Sequence, residues 1–256
     1  MGYNLSDPKF QDVRVRQAIN YAVNKEEMTK TIFFGLAEVT TGPFLKGSWA
    51  YNKEIEPAPY NIAKAKELLR QAGWKDTSKD GWLVKDGKEF EFTVVVNQGN
   101  GERQRSAEMI QKYLKDVGIR MKIRVVEWNT MINEFLNKKR FEAVIMGWFL
   151  GRDPDNYDIW HSSKTREGEF NFIGYKNEEV DRLLVEGRRT FDESKRAVIY
   201  HRIHELIYAD QPYMFLYSAD TLPIVNSRFH NVESSQIGIG YNFINWYVPK
   251  SEQKYR

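Results

Sequence analysis

The chain has 256 residues, 41% of them hydrophobic and 29% charged, with a formal net charge of +3 at pH 7. That length allows one large domain or two small ones with a sizeable core, and so weak a charge gives no case for a nucleic-acid partner. The absence of cysteine excludes disulfides, thiolate catalysis and Cys-ligated metals, and no apolar run approaches the ~20 residues of a membrane-spanning helix.

In chain order, residues 13–30 carry Val15, Ala18, Ile19, Ala22 and Val23 at helical spacing behind the N-cap candidate Asp12. Residues 36–60, after the Gly35 break and through Gly42-Pro43, read as an extended loop. Asn61 can cap a helix over 62–72, which Gly73 stops. Asp80-Gly81 and Asp86-Gly87 mark turns around a short hairpin at 82–85. Asn4-Leu5-Ser6 is a formal glycosylation sequon.

A β-α-β-α-β run follows. Residues 90–96 form a Phe/Thr/Val-rich strand, Gln98-Gly99-Asn100-Gly101 a turn, and 102–117 an amphipathic helix with Ala107, Ile110, Tyr113 and Leu114 inward. The second strand, 119–127, sets Met121, Ile123 and Val125 against Arg120, Lys122 and Arg124, and a short helix at 130–139 leads to a third strand at 141–148. This order favours right-handed crossovers and parallel pairing. The turn at 98–101, Trp128 and the loop at 148–158 then meet at one carboxyl edge, where open α/β sheets bind ligands. Helices are expected at 178–188, behind Asn177, and at 193–209, with a short strand at 213–217. From 221 to 256 the pattern changes to strand-like pieces, a Gly-Ile-Gly turn and a polar tail.

Trp128 and Trp148 each sit at the expected end of a parallel strand. There they can wall a pocket or stack on a flat group, although either could also be an ordinary core side chain. Asp153, Asp155 and Asp158 could offer oxygen ligands to a divalent cation, or could accept backbone N–H bonds in a tight turn fixed by Pro154. His201 and His204 lie three apart beside Glu205, without the spacing of a zinc-protease helix. Ser162, His161 and Asp158 adjoin one another without a nucleophile elbow. The glycine turn at 98–101 matches neither a dinucleotide nor a phosphate-loop fingerprint.

The order of these pieces resembles the extracytoplasmic solute-binding proteins of ABC importers, in the peptide, dipeptide and nickel group known as family 5. The resemblance is carried by Asp12-Val13-Arg14-Val15-Arg16-Gln17-Ala18-Ile19-Asn20-Tyr21-Ala22, Thr41-Gly42-Pro43, Ala63-Lys64-Ala65-Lys66-Glu67-Leu68-Leu69 with Ala72-Gly73-Trp74, and Asp80-Gly81-Trp82. It continues through Val117-Gly118-Ile119, Glu127-Trp128, Gly147-Trp148 with Asp153-Pro154-Asp155, Asn171-Phe172 and Gln211-Pro212-Tyr213. It implies an α/β fold, the type II periplasmic binding protein-like lobe, with an open mixed sheet flanked by helices. Relatives are longer and close two lobes on a solute. This chain is similar to their C-terminal portion, with residues 1–220 as the solute-binding lobe and 221–256 as a returning segment that packs on an N-terminal lobe outside this chain.

The resemblance further implies solute capture, of oligopeptides above all, with no cofactor, no metal and no catalysis. The implied partners are the solute, the membrane permease and the other lobe, with no nucleic acid. The implied setting is the periplasm or a cell-surface lipoprotein. The ligand-binding residues it implies are Trp128, Gly147, Trp148, Phe149, Asp153 and Asn171. Several relatives carry an acid shortly after the Gly-Trp that pairs with a peptide's amino terminus. Here Phe149-Leu150-Gly151-Arg152 fills that interval, which argues against free-amine recognition and keeps longer peptides, oligosaccharides and metal chelates open. Rivals from other classes are a hydrolase or metal enzyme using Asp153, His161 or His201, and an assembly module without a solute.

Overall fold

The computed structural model describes residues 1–235 and 238–254, and the chain divides into two compact units, Met1–Ala219 and Asp220–Arg256. Gln236, Ile237, Tyr255 and Arg256, which fall in the expected returning segment, lie outside the described residues.

The first unit opens with strand β1 (Gly2–Tyr3) and the short helix α1 (Pro8–Gln11), capped by Asp7 with Pro8 at its first position. Asp12 then caps α2 (Val13–Ala22). The single helix expected over 13–30 is two, because Val23 is extended and Asn24 starts α3 (Lys25–Phe33) by accepting the Glu27 N–H at 3.0 Å. Apolar periodicity runs across this break, since Ala22, Val23, Met28 and Ile32 are all buried, so the pattern alone hides it. Strand β2 (Ala37–Val39) precedes a long loop, and α4 (Ile62–Gln71) begins at the Asn61 cap and ends before Gly73, whose φ of +91° needs glycine. The hairpin at 82–85 is part of a small antiparallel sheet, β3 (Asp76–Thr77), β4 (Leu83–Lys85) and β5 (Lys88–Glu89), turned at Asp86-Gly87.

Next come β6 (Glu91–Asn97), α5 (Gly101–Asp116) and β7 (Arg120–Val126). A short helix α6 (Trp128–Thr130) then runs into a π-helical turn, Met131–Leu136. Strand β8 (Ala143–Ile145), shorter than the expected 141–148, is followed by α7 (Tyr157–Trp160), α8 (Glu178–Arg189) and α9 (Glu193–Asp210). The main sheet has the order β1-β8-β6-β7, with β6 parallel to both β7 and β8 and β1 antiparallel to β8. It is an open mixed sheet, and both crossovers bring successive carboxyl ends to one edge.

Helices cover both faces of this sheet. From β6, Phe92, Val94 and Val96 join a core with α2, α4 and α5, whereas Val95 joins a second core with α8 and α9. Burial on both sides explains why β6 reads as a continuous apolar run. Strand β7 lies at the sheet edge, so the inward alternation expected of it fades: Met121 is buried while Val125 is exposed. The strand expected at 213–217 forms instead at β9 (Tyr217–Ala219), which pairs antiparallel with β2, and Tyr213 makes only an isolated bridge to Gly2.

The loop at 40–58 is strapped across α9 by side chains on one face of that helix. His201 Nε2 meets the Trp49 carbonyl at 3.0 Å, Glu205 Oε1 accepts from Asn52 Nδ2 at 3.0 Å, and the Tyr208 hydroxyl donates to the Glu56 carbonyl at 3.0 Å. His204, fully buried, accepts the Asn52 N–H on Nδ1 at 3.2 Å, which leaves its Nε2 to donate to Thr41 Oγ1 at 3.0 Å. The sequon asparagine, Asn4, is buried and donates to the Lys139 and Phe141 carbonyls, so it is a tie between chain segments and not a free surface amide.

In the second unit, the strand-like pieces are absent among the described residues. It contains the 3-10 turns Ile239–Asn245 and Lys250–Glu252 and a single bridge between His230 and Tyr247. Among the described residues of this short unit, Leu222, Ile224, Phe243 and Ile244 are all exposed and no core covers them.

Candidate functional site

The carboxyl ends of β6, β7 and β8 meet at one guanidinium. After β6, the turn at 98–101 is closed by the Gln98 N–H donating to the Val126 carbonyl at 2.7 Å, and Asn100 caps α5 by accepting from the Arg103 N–H at 2.8 Å. Arg103 is therefore the third residue of the helix, in its first turn beside the strand ends. Its Nη1 donates to Asn97 Oδ1, on the last residue of β6, at 2.7 Å. Its guanidinium carbon lies 5.8 Å from the centre of the Trp128 ring, just beyond β7. A Cβ built on Gly147, just beyond β8, would lie 3.6 Å from its Nη2.

Trp128 opens α6 because Glu127 caps it, accepting the Thr130 N–H at 3.0 Å, and the indole remains 41% exposed. The π-helical turn follows at once, a distortion frequent beside functional sites. Trp148 sits deeper, with its ring packed on Phe170 at 5.5 Å and Phe172 at 6.0 Å, whereas Phe149 is wholly exposed. Of the residues expected to meet a solute, the structure thus gathers Trp128 and Gly147 around Arg103, puts Trp148 half into the core and turns Phe149 to solvent.

Asp153 and Asn171 are occupied elsewhere. Asp153 is gripped by both terminal nitrogens of Arg196 at 2.8 Å, and that pairing holds its carboxyl below the usual aspartate range. Asp155 pairs with Arg188 Nε at 2.7 Å. The two acids anchor the loop after Gly147-Trp148 to α8 and α9, so the turn reading of Asp153-Pro154-Asp155 extends to two interhelical anchors. With Pro43, Phe44, Leu45 and Ser48 of the strap, this loop lines a shallow cleft, tied by Asn156 Nδ2 donating to the Pro43 carbonyl at 2.9 Å. Asn171 is fully buried, giving its amide hydrogens to the His161 and Tyr175 carbonyls at 3.1 and 2.9 Å and accepting the Tyr175 N–H at 2.9 Å. No polar atom of Asn171 is left for a ligand.

The residues of the enzyme reading are also committed separately. His161 Nδ1 faces Ser163 Oγ at 2.8 Å, Ser162 bonds Asp181, and His201 holds Trp49. His204 is a buried neutral imidazole whose pKa burial lowers to about 4. Among the described residues, no three His, Asp or Glu side chains come together to hold a metal ion.

Arg103 and Asn97 belong to this candidate site and were missed by sequence reasoning. The available signal was position: a basic residue in the first turn of a helix that follows a parallel strand, where backbone and side chain both face the sheet edge.

Comparison with known proteins identifies the family of the chain. Residues 1–169 match the family model described as bacterial extracellular solute-binding proteins, family 5 Middle. The oligopeptide-binding protein AppA of Bacillus subtilis is 37% identical over 254 residues, covering 98% of this chain and 46% of AppA. The structure of that AppA in complex with a nonapeptide aligns with a TM-score of 0.84, covering 97% of this chain and 50% of that one. NikZ from Campylobacter jejuni in complex with Ni(L-His) aligns at 27% identity with a TM-score of 0.85, covering 96% and 50%. The chain thus spans about half the length of the relatives it matches. With the family model covering most of the mixed-sheet unit, the chain belongs to the bacterial extracellular solute-binding proteins of family 5.

Proposed function

We propose that this chain supplies one wall of a solute site for an ABC importer, and that the solute is most often an oligopeptide. The observation that carries this is the convergence of Asn97, Arg103, Trp128 and Gly147 at the carboxyl edge of three parallel strands. An exposed indole beside a partly buried cation offers an apolar plate and a polar anchor, the pairing that a chain of mixed side chains needs. The likeness to AppA, whose structure holds a nonapeptide, favours a peptide longer than two residues. The likeness to NikZ, whose structure is in complex with Ni(L-His), makes a metal chelate the second reading, with an oligosaccharide third.

Binding occurs by closure of two lobes. Each lobe gains its contacts with solute only when closed, so solute shifts the population towards the closed state and no bond is broken. Trp128 and Gly147 touch the solute directly, Phe149 reaches it from the far lip, and Trp148 and Asp153 hold the loop that carries Phe149. The other lobe, lying beyond residues 1–256, supplies the second wall, and residues 221–256 return to pack on it through side chains such as Ile224 and Ile244. The loaded protein delivers its solute to a membrane permease outside the cytoplasmic membrane, in the periplasm or as a surface lipoprotein.

A thermal-shift screen against mixed peptides, cello- and xylo-oligosaccharides, and nickel with histidine tests this, with the chain alone and with the other lobe supplied. Stabilisation by peptides only when both lobes are present is the expected result. Tight binding by the chain alone, or hydrolysis of any probe, overturns it.

A further inference from the structure

We infer that Phe170 is a specificity-determining residue of the proposed solute site: with Trp148 it forms an aromatic corner, free of any capping cation, that takes an aromatic side chain of the bound peptide. This rests on the solute-capture function proposed above.

Phe170 is 52% exposed, yet the loop around it is built to hold it in place. The Lys164 N–H donates to the His161 carbonyl, and the Asn171 N–H to the Lys164 carbonyl, each at 3.0 Å. Between them the Glu169 N–H donates to the Arg166 carbonyl at 3.1 Å and Glu169 Oε2 accepts the Arg166 N–H at 2.7 Å. Gly168 makes the turn at a φ of +81°. Phe170 is thus flanked by two bonded residues, Glu169 and Asn171. The buried Asn171 amide, tied to the His161 and Tyr175 carbonyls, fixes the base of this loop. An aromatic side chain displayed on so constrained a backbone loses little freedom when a ligand covers it.

The Phe170 ring meets Trp148 at 5.5 Å with 64° between the planes, and Trp148 in turn rests on buried Phe172 at 6.0 Å. Trp148 directly follows Gly147, the residue that approaches Arg103, so the corner adjoins the candidate site. Other rings of this unit carry a guanidinium over one face: Trp49, Phe135 and Tyr157 as well as Trp128. Among the described residues no cation lies over Trp148 or Phe170, although Lys164 and Arg166 belong to the same loop. Lys164 turns instead to Asp158, at 3.0 Å, and towards the Tyr157 ring. A ring capped by a cation has its face occupied, whereas this pair keeps its faces for an uncharged partner. Two rings set at a wide angle admit a third in edge-to-face contact, and an aromatic side chain gains from that geometry beyond its buried area. Asn171, next in the chain, has no polar atom left, so it offers a hydroxyl-rich ligand no hydrogen bond.

The test uses the full-length protein and three pools of nonapeptides, read by titration calorimetry. The first pool carries Phe, Tyr and Trp, the second has Leu, Ile and Val in their place, and the third has Ala. The aromatic pool should bind about threefold to tenfold more tightly than the aliphatic one, and the alanine pool most weakly. In Phe170→Ala the preference for aromatic over aliphatic peptides should vanish, and in Phe170→Tyr, which keeps the ring, it should persist. A urea midpoint for each variant shows that the fold is retained. Aliphatic peptides binding as tightly as aromatic ones, or an undiminished aromatic preference in Phe170→Ala, overturns the role of Phe170 and leaves the peptide function standing. Failure of every pool to bind overturns both.

Discussion

His204 and Arg103 are both basic side chains drawn into the protein, and the fold treats them in opposite ways. Both ring nitrogens of His204 are hydrogen-bonded, its rim is ringed by Phe44 and Tyr51, and it is closed off entirely. Among the described residues, the Arg103 side chain has one hydrogen bond, from one of its five N–H groups, and one ring beside it. Complete satisfaction marks a group that the structure uses for itself, and partial satisfaction at a sheet edge marks one kept for something that arrives later. The strap is therefore architecture and the edge the proposed site, although His204 was the side chain whose chemistry looked the more eligible in the sequence.

The contrast breaks most severely at Gly42. A Cβ there would lie 2.1 Å from His204 Nε2 and 2.2 Å from Cδ2, inside any permitted contact. The imidazole cannot swing aside without giving up Thr41 and Asn52, so Gly42→Ala combines overpacking with lost buried hydrogen bonds. A destabilisation of about 3 kcal/mol or more follows, measurable as a lower urea midpoint. An unchanged midpoint would mean that the strap is loose and that His204 does not hold it.

A weaker perturbation is acid. The His204 imidazole binds its proton near 6.5 when unfolded and only near 4 when folded, because burial disfavours the charged ring. Between those values the unfolded chain is the better proton binder, so His204 contributes stability that is complete above pH 6.5, falls as pH drops and is gone below about 4. Between pH 7.5 and 4.5 the loss from this group alone is on the order of 2–3 kcal/mol. Urea denaturation at the two pH values should show it in the unaltered chain and not in His204→Leu, and equal pH dependence in both would assign the acid sensitivity to other groups.

What the sequence disclosed about these two regions follows from the range of the forces involved. Caps and glycine stops act within one turn, so α4 and α8 begin where Asn61 and Asn177 put them and α4 ends within a residue of where Gly73 stops it. The parallel strands were legible for the same reason, as apolar runs between helices. Asn24 was not, because it interrupts an apolar period that continues on both sides. Strand β9 was displaced because its partner β2 lies some 180 residues away and gives no local sign. Trp128 stood out by type and position. Arg103 did not, being one of 38 lysines and arginines, and only the meeting of three strand ends separates it from the rest. Asn171 shows the reverse error: a polar residue in a loop motif looked available, and the fold spends every one of its bonds on backbone.

The smallest structural effect belongs to Trp128→Ala. The indole is substantially exposed, it opens a helix of only Trp128–Thr130, and Glu127 caps that helix whatever residue follows. Its cation–π contact with Arg103 is worth roughly 0.5–1 kcal/mol at an exposed position, so the folding free energy should change by no more than about that. The same substitution removes the apolar plate of the proposed site. Affinity for peptide in the two-lobed protein should therefore fall by about tenfold or more while the urea midpoint hardly moves. This separation of stability from binding is the sharpest form of the contrast, because a strap residue cannot show it: there, function and fold are lost together. A large loss of stability in Trp128→Ala would move the indole to the architectural side, and an unchanged affinity would move the solute site away from the carboxyl ends of β6, β7 and β8.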